Sequence, residues 1–415
     1  MSYYYQNLEN FAKSNLQQCS YKLSFVNFQD ANGTLLLNTL TQCQNLKKIS
    51  MNFNYIMDFS QEEWNQFKIL ESLYEENNLK DKTISNIINN LNICMNLKIL
   101  SLGIENIPFT SIEVKNLIIG ASKIQILENL TLSFNKSFFD EQSMAYLAEE
   151  IINCQNLNTL ALRFQQELIT ALSINNLFDQ ICKIKQLESL KIEIIQNMKD
   201  KFSFYEVINQ ITKVSNLKNL KLNLSFNQIN YGKEVGDQIM KFENIKSLEL
   251  NLDSTNMKDD QFSILCGQLL RFKSLFNLSL SLRANELGDS STLSLSQFLK
   301  STSNIKIFTF DLRDNLICLE CNKYLQSFLE SLSNLYSLNL FYTQFQLSSI
   351  EKQIKKKAKR LIQYDRIFDK LDEENYIYHQ KYVVQQNWKY DHEKTHFQKI
   401  QYQDYDYDYD YEDLF

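Results

Sequence analysis

Reactive chemistry needs nucleophiles, metal ligands or proton carriers held at a workable spacing, and this chain is poor in them. Its three histidines are His379, His392 and His396, all beyond the repeated part of the chain. His392 and His396 are one helical turn apart, with Asp391 and Glu393 beside them, so two imidazoles and a carboxylate could share a metal ion. A zinc hydrolase uses such a pair with a glutamate as base. WKYDHEKTHFQ is read as departing from the His-Glu-x-x-His order, with Glu393 and Lys394 leaving no correctly placed base within the pair, so two surface histidines on a helix are expected instead.

Cys318-Leu-Glu-Cys321 is a lone CxxC pair. A metal site would need two further ligands, and none lies nearby in sequence. A dithiol redox site would need the pair at a helix start beside a strand. Phosphate loops, dinucleotide loops, nucleophile elbows and kinase signatures are missing. Seven glycines and one proline in 415 residues leave little material for anion cradles. No catalytic residue, metal or cofactor is therefore expected.

The elements that carry these residues follow from a repeat. A segment beginning Asn/Ser-Leu/Ile, followed by alternating apolar residues, opens at Leu16, Leu46, Leu97, Leu127, Leu157, Leu187, Leu217, Ile245, Leu275, Ile305 and Leu335. From Leu97 the steps are 30, 30, 30, 30, 28, 30, 30 and 30 residues. A period of this size means a solenoid, in which no unit buries its apolar face alone. Units such as Leu217-x-x-Leu220-x-Leu222-x-Leu224-x-x-Asn227 read as a strand with one buried face. Asn227, Asn285 and Asn315 end three strands, where an amide can pair with backbone groups left open at the turn and build a ladder. Leu222 and Leu280 belong to the core.

Between strands the pattern turns helical. Thr292–Leu299 and Tyr324–Leu332 carry apolar residues on one face, and Asp259-Asp260 supplies acid at a helix start. Helices are wider than strands, so stacking places parallel strands on a concave face and helices on a convex one. Leu46 to Leu97 breaks the period at 51 residues, and Leu70-x-x-Leu73 can supply a degenerate strand there, for twelve in all.

These units resemble the leucine-rich repeat family, in its ribonuclease-inhibitor-like class. The match is good at Leu217, Leu275 and Ile305, and looser at Leu157, whose repeat carries Glu167 in the Asn position. The resemblance covers about residues 10 to 345 and implies an α/β horseshoe that binds proteins. The abundance of Asn, Gln, Lys, Ile and Tyr is similar in style to ciliate proteins.

Domain organisation follows: a solenoid over 1–345, a helical cap or extension over 346–400, and a disordered Asp/Tyr tail over 401–415. The extension carries Ile350, Ile354, Ala358 and Leu361 on one face, as a solenoid end cap would. Lys352, Lys355, Lys356, Lys357, Lys359 and Arg360 make it an alternative docking helix for RNA or an acidic partner. Alternating Asp and Tyr from Asp404 to Tyr411 carry too much like charge to pack.

The concave residues lie four and six after each opening residue. At both ends they are small and neutral, as in Ser101 and Gly103 or Ser279 and Ser281. In the middle Arg163, Lys191, Glu193, Lys221 and Glu249 carry both signs. Mixed charge and a formal net charge of -6 disfavour nucleic acid and suit a protein partner. The start, MSYYYQNLEN, has no signal-peptide pattern, no stretch reads as a membrane span, and a cytoplasmic or nuclear place is expected. Cys43, Cys94 and Cys154 share one repeat position, as small buried hydrophobes would. The expected function is a non-catalytic protein-binding scaffold or a subunit of a larger assembly, without a small-molecule substrate. The alternative implied by the family is an activator of the nuclear-transport GTPase, against which the scarcity of arginines (Arg163, Arg283, Arg313) counts.

Overall fold

The structure is a computed structural model that describes residues 3–14, 16–26, 30–54, 82–107, 109–137, 139–167, 169–196, 202–230, 244–317, 335, 337–341 and 363–365. The chain divides into two compact units, Met1–Arg366 and Ile367–Phe415, and every described residue belongs to the first.

Alternating apolar residues produce one parallel sheet. Its strands are β1 (Tyr3–Tyr5), β2 (Ser20–Val26), β3 (Lys48–Asn54), β4 (Ile99–Glu105), β5 (Asn129–Asn135), β6 (Thr159–Gln165) and β7 (Ser189–Ile195). It continues through β9 (Asn219–Asn223), β11 (Ser247–Asn251), β12 (Asn277–Ser281), β13 (Ile307–Asp311), β14 (Ser337–Phe341) and β15 (Gln363–Asp365). Two short strands, β8 (Phe202–Ser203) and β10 (Ile229–Asn230), pair separately beside it. The order is strictly sequential, as expected of a solenoid, and the open sheet has strands on one face and helices on the other.

Register makes the core continuous. Leu220, Leu248, Leu278, Phe308 and Leu338 stand opposite one another across five strands. Leu100, Leu130, Leu160 and Leu190 form the same row earlier in the chain, and all are buried. Each buried Leu contributes roughly 2 kcal/mol by leaving water. Phe134 and Phe164, at the last inward position of β5 and β6, stack with ring centroids 6.0 Å apart. The identical step from repeat to repeat is what lets like side chains meet.

The helices start where their sequences say they should. Thr110 opens the helix Ser111–Ser122 with Glu113 closing a capping box, Asp140 caps Glu141–Ile151 through Ser143, and Thr170 caps Ala171–Ile181. Asp259 and Asp260 lie in the first turn of Asp259–Leu269, and Thr292–Leu299 falls inside Asp289–Ser301. Tyr324–Leu332 is outside the described residues.

Every described turn from strand to helix also uses a left-handed residue. Asn106, Lys136, Gln166, Gln196, Phe226, Ser254, Ala284 and Asp314 all have positive φ near 50–60°, each nine residues after its opening Leu or Ile. None is glycine, so each turn bears a local strain of about 1 kcal/mol that the ladder beneath it must hold.

Three expectations are corrected. β3 pairs directly with β4, Ile49 opposite Leu100, so no strand from Leu70-x-x-Leu73 stands between them in the sheet. The register already closes without it, and the eleven opening residues give eleven strands. Leu16 does not lead the first strand: Tyr3–Tyr5 pairs outside β2 as an additional edge. Within the segment expected to be helical, Gln363–Asp365 instead forms a strand against β14.

Candidate functional site

The concave face is built from the outward positions of the strands, and the five charged residues expected there are brought together. Parallel register sets Arg163 opposite Glu193, Lys191 opposite Lys221, and Lys221 opposite Glu249. Glu193 holds two cations: Lys191 Nζ lies 3.2 Å from its Oε1, and Arg163 Nε 3.5 Å from its Oε2. The latter contact is an ion pair at the limit of hydrogen-bond length, and the Arg163 Nε–H has no better acceptor. Arg163 Nη2 donates to Gln165 Oε1 at 2.6 Å. One strand further, Lys221 Nζ meets Glu249 at 2.5 Å.

Burial separates these groups by role. The side chains of Arg163, Lys191, Lys221 and Glu249 remain 29–39% exposed. Glu193, expected to face solvent, is only 7% exposed. The long side chains of Arg163 and Lys191 close over it, which makes it their internal counter-ion. Three cations against two carboxylates leave the cluster one charge positive. Its flanks are small: Ser101, Thr131 and Ser133 precede it, Ser279 and Ser281 follow, and at Gly103 the Asn52 side-chain amide lies where a Cβ would otherwise sit.

The amide ladder expected from Asn227, Asn285 and Asn315 is present beneath the turns. Each Nδ2 donates to a carbonyl 33 residues earlier, at 2.6, 2.8 and 2.8 Å, and to two carbonyls of its own turn. In the other direction, Asn285 Oδ1 accepts from the backbone N–H of Thr255 and Met257, and Asn315 Oδ1 from Leu287. Asn227 and Asn285 are buried, as are Leu222 and Leu280. The Glu167 carboxyl takes the equivalent place in its repeat. Both of its oxygens accept backbone N–H groups at 2.7 Å, from Ser137 and Phe139. Burial pushes its pKa up to about 8 in spite of those two donors, which pull it down.

A second amide ladder was visible in the sequence as the Asn that precedes most of the opening Leu or Ile residues, but its role was not. Asn45 donates to the carbonyl of Gln17, Asn96 to Gln44, Asn156 to Gln125, Asn216 to Lys185, Asn244 to Ser215 and Asn304 to Lys273. The signal was the recurring Asn-Leu pair. An exposed amide draws no attention until the partner one repeat away is known.

Cys43, Cys94 and Cys154 are buried free thiols, and burial pushes each pKa to about 11 or 12. They are therefore poor nucleophiles. Among the described residues no group of three or more His, Cys, Asp or Glu could hold a metal ion, and no helix is long and apolar enough to cross a membrane. Lys355, Lys356, Lys357, the CxxC pair, the three histidines and the Asp/Tyr tail lie outside the described residues. The histidine motif itself needs a correction from the sequence: His392-Glu393-Lys394-Thr395-His396 does follow the His-Glu-x-x-His order, with Glu393 in the base position. That pentad alone lacks the third ligand such a site requires.

No protein-family model and no curated protein matches this chain. Solved structures similar to it include the yeast Rad7–Elc1 complex, at 13% identity and a TM-score of 0.43, over 83% of this chain and 76% of that one. Internalin C2 of Listeria monocytogenes is similar at 17% identity and a TM-score of 0.31, over 56% and 84%. A leucine-rich repeat protein of Leptospira interrogans is similar at 15% identity and 0.27, over 88% and 100%. The fold is a leucine-rich-repeat-like solenoid.

Proposed function

We propose that this chain is a non-catalytic scaffold that binds a protein partner on its concave face, at Arg163, Lys191, Lys221 and Glu249, with Glu193 holding the cations in place. The ribonuclease-inhibitor-like repeat length and the Leu-x-x-Leu-x-Leu-x-Leu-x-x-Asn pattern support that class of solenoid, and the buried free thiols suit a reducing, cytoplasmic or nuclear setting. The observation that carries the reading is the cluster of Arg163, Lys191, Glu193, Lys221 and Glu249 between flanks of small side chains. Small residues leave room for a partner surface to approach the sheet, and fixed charges of both signs set its register and orientation more than its affinity. The cluster contains no nucleophile and no proton carrier with a partner to activate it, which is an arrangement for recognition.

The test reverses Lys191 and Lys221 to Glu and compares proteins recovered with the tagged chain by quantitative mass spectrometry. The recovered partner should fall at least fivefold, with association slowed in a salt-dependent way and the circular dichroism spectrum unchanged. Recovery equal to the native chain would move the interface off the concave strands. Metal analysis of the purified chain tests the non-catalytic part. One zinc per chain, lost in H392A/H396A, would overturn it.

A further inference from the structure

Glu105 ends β4 on the concave side, and its neighbours at that level are amides. Asn54 stands opposite it on β3 and Asn135 on β5, with Gln165 opposite Asn135 on β6. Glu105 Oε2 accepts from Asn54 Nδ2 at 3.3 Å, and Oε1 from Asn135 Nδ2 at 2.9 Å. Those amides are its only partners among the described residues, and no lysine or arginine pairs with it, Lys136 in the following turn included. Glu193, Glu249 and Asp311, further along the same face, each meet a cation. Beside Glu105 the face is small and uncharged, with Ser101 and Gly103 on its own strand and Thr131 and Ser133 on the next. A half-buried carboxylate thus stands without a counter-ion in a neutral setting.

The fold does not need this charge. A carboxylate only accepts hydrogen bonds, so it turns the donor side of both neighbouring amides toward itself. Asn135 Oδ1, on the other side of its amide, is buried without a donor among the described residues. Glutamine has the same reach and both accepts and donates, so it would bridge the same strands without holding a charge part-way out of water. The equivalent places on the adjoining strands, Asn54, Asn135 and Gln165, are such neutral amides. A carboxylate offers about four acceptor sites. With two in use, Glu105 keeps room for a donor-rich cation.

We infer that Glu105 is a further anchor on the concave face and takes a lysine or arginine side chain of a protein partner, which rests on that face being the protein-binding surface proposed above. Charge along the face selects this occupant. Gln165, which accepts from Arg163 Nη2, lies two strand spacings from Glu105, about 10 Å. The net positive cluster begins there, so a segment crossing the strands meets a negative group and then a positive one. A basic residue with an acidic one about three residues on, in an extended stretch, satisfies both. A metal ion does not suit the place. One carboxylate with amide oxygens falls short of the roughly six to eight oxygen ligands that calcium takes. Nucleic acid would set its phosphates against a bare carboxylate.

The experiment pans a displayed library of random peptides, about twelve residues long, on the immobilised full chain, with E105Q and K191E/K221E as parallel baits. Peptides selected on the native chain should be enriched about threefold in Arg and Lys over the input library. Synthetic copies of the strongest should bind E105Q about fivefold to tenfold more weakly, and the difference should shrink as salt rises. The thermal midpoint of E105Q should match the native chain or exceed it, whereas a purely structural role for Glu105 would lower it. K191E/K221E should keep the selected basic residue and lose the acidic one. No enrichment of basic residues on the native chain, equal binding to E105Q, or a midpoint lowered by about 3 °C or more in E105Q would each overturn the assignment. A selection changed by K191E/K221E and not by E105Q refutes the Glu105 anchor alone. The reverse result refutes the central cluster and leaves Glu105 in place.

Discussion

Glu167 holds in its repeat the place that Asn285 holds in its own. Each reaches back 30 and 28 residues to backbone N–H groups: Glu167 to Ser137 and Phe139, Asn285 to Thr255 and Met257. The difference lies in what the side chain can give. The Asn285 oxygen accepts both N–H groups, which frees its amide N–H groups for the carbonyls of Leu252, Leu282 and Arg283. Glu167 spends both oxygens on accepting and, with the proton its raised pKa keeps, has at most one O–H to give against the two N–H groups of an amide.

Replacing Glu167 with Asn should therefore restore the ladder, with the new amide donating toward the carbonyls of Phe134, Phe164 and Gln165. The gain depends on pH. The folded-state pKa is raised from 4.5 to about 8, so the folded chain keeps a proton that the unfolded chain gives up between those values. The stability associated with that proton is fully present below pH 4.5 and is lost as pH rises through 8. Glu167→Asn should be close to neutral at pH 5 and stabilising by about 2–3 kcal/mol at pH 9. Urea midpoints at the two pH values check this, and an equal difference at both would refute the raised pKa.

Ala284 tests the strained turns. Its φ is 53° and its side chain is exposed, so removing the Cβ relieves the left-handed penalty and deletes no core contact. Ala284→Gly should stabilise by about 0.5–1 kcal/mol, despite the added freedom of the unfolded chain. Ala284→Val should destabilise by at least about 1 kcal/mol, since a β-branched residue tolerates this conformation worst. Thermal midpoints moving in opposite directions would bear this out.

The repeat was legible because its information is local and recurs: Leu217, Leu275 and Ile305 announce strand, face and turn within ten residues. The strand expected at Leu70 between β3 and β4 shows the limit. Thirty-residue spacing made a vacancy look like a repeat, but whether β3 and β4 pair directly is decided by register across the sheet. The concave charges were legible as a list and not as a structure. Alternation predicts that Glu193 points outward, whereas its burial comes from Arg163 on one neighbouring strand and Lys191 on its own closing over it. Glu167 looked like a departure from the pattern. Its chemistry emerged only from backbone groups 28 and 30 residues away.

Leu222 and Lys221 are adjacent and face opposite ways, which separates core from surface in one experiment. Leu222 is 1% exposed, and an unpaired carboxylate there is buried between stacked repeats. Leu222→Asp should cost 3 kcal/mol or more, by estimates of roughly that order for a buried charge, and should unfold neighbouring repeats. Lys221→Ala removes only a part-exposed pair with Glu249 and should cost about 0.5 kcal/mol or less. Comparable losses in a urea titration would invert the assigned faces.

The last test concerns Glu193 as a counter-ion. Were it a partner-facing group, removing its charge would affect binding and leave stability alone. Its position beneath Arg163 and Lys191, at 7% exposure, predicts the reverse order of effects. Glu193→Gln keeps the shape but removes the carboxylate that Arg163 and Lys191 share, so stability should fall by about 1–2 kcal/mol. High salt should recover part of that loss by screening the repulsion between the exposed ends of Arg163 and Lys191. A further Arg163→Met change in the Glu193→Gln background removes one of the two cations, and its effect should be smaller than that of Arg163→Met alone. A double-mutant cycle measures this coupling directly. A coupling energy near zero would show that Glu193 and Arg163 act independently, and Glu193 would return to the set of groups presented to a partner.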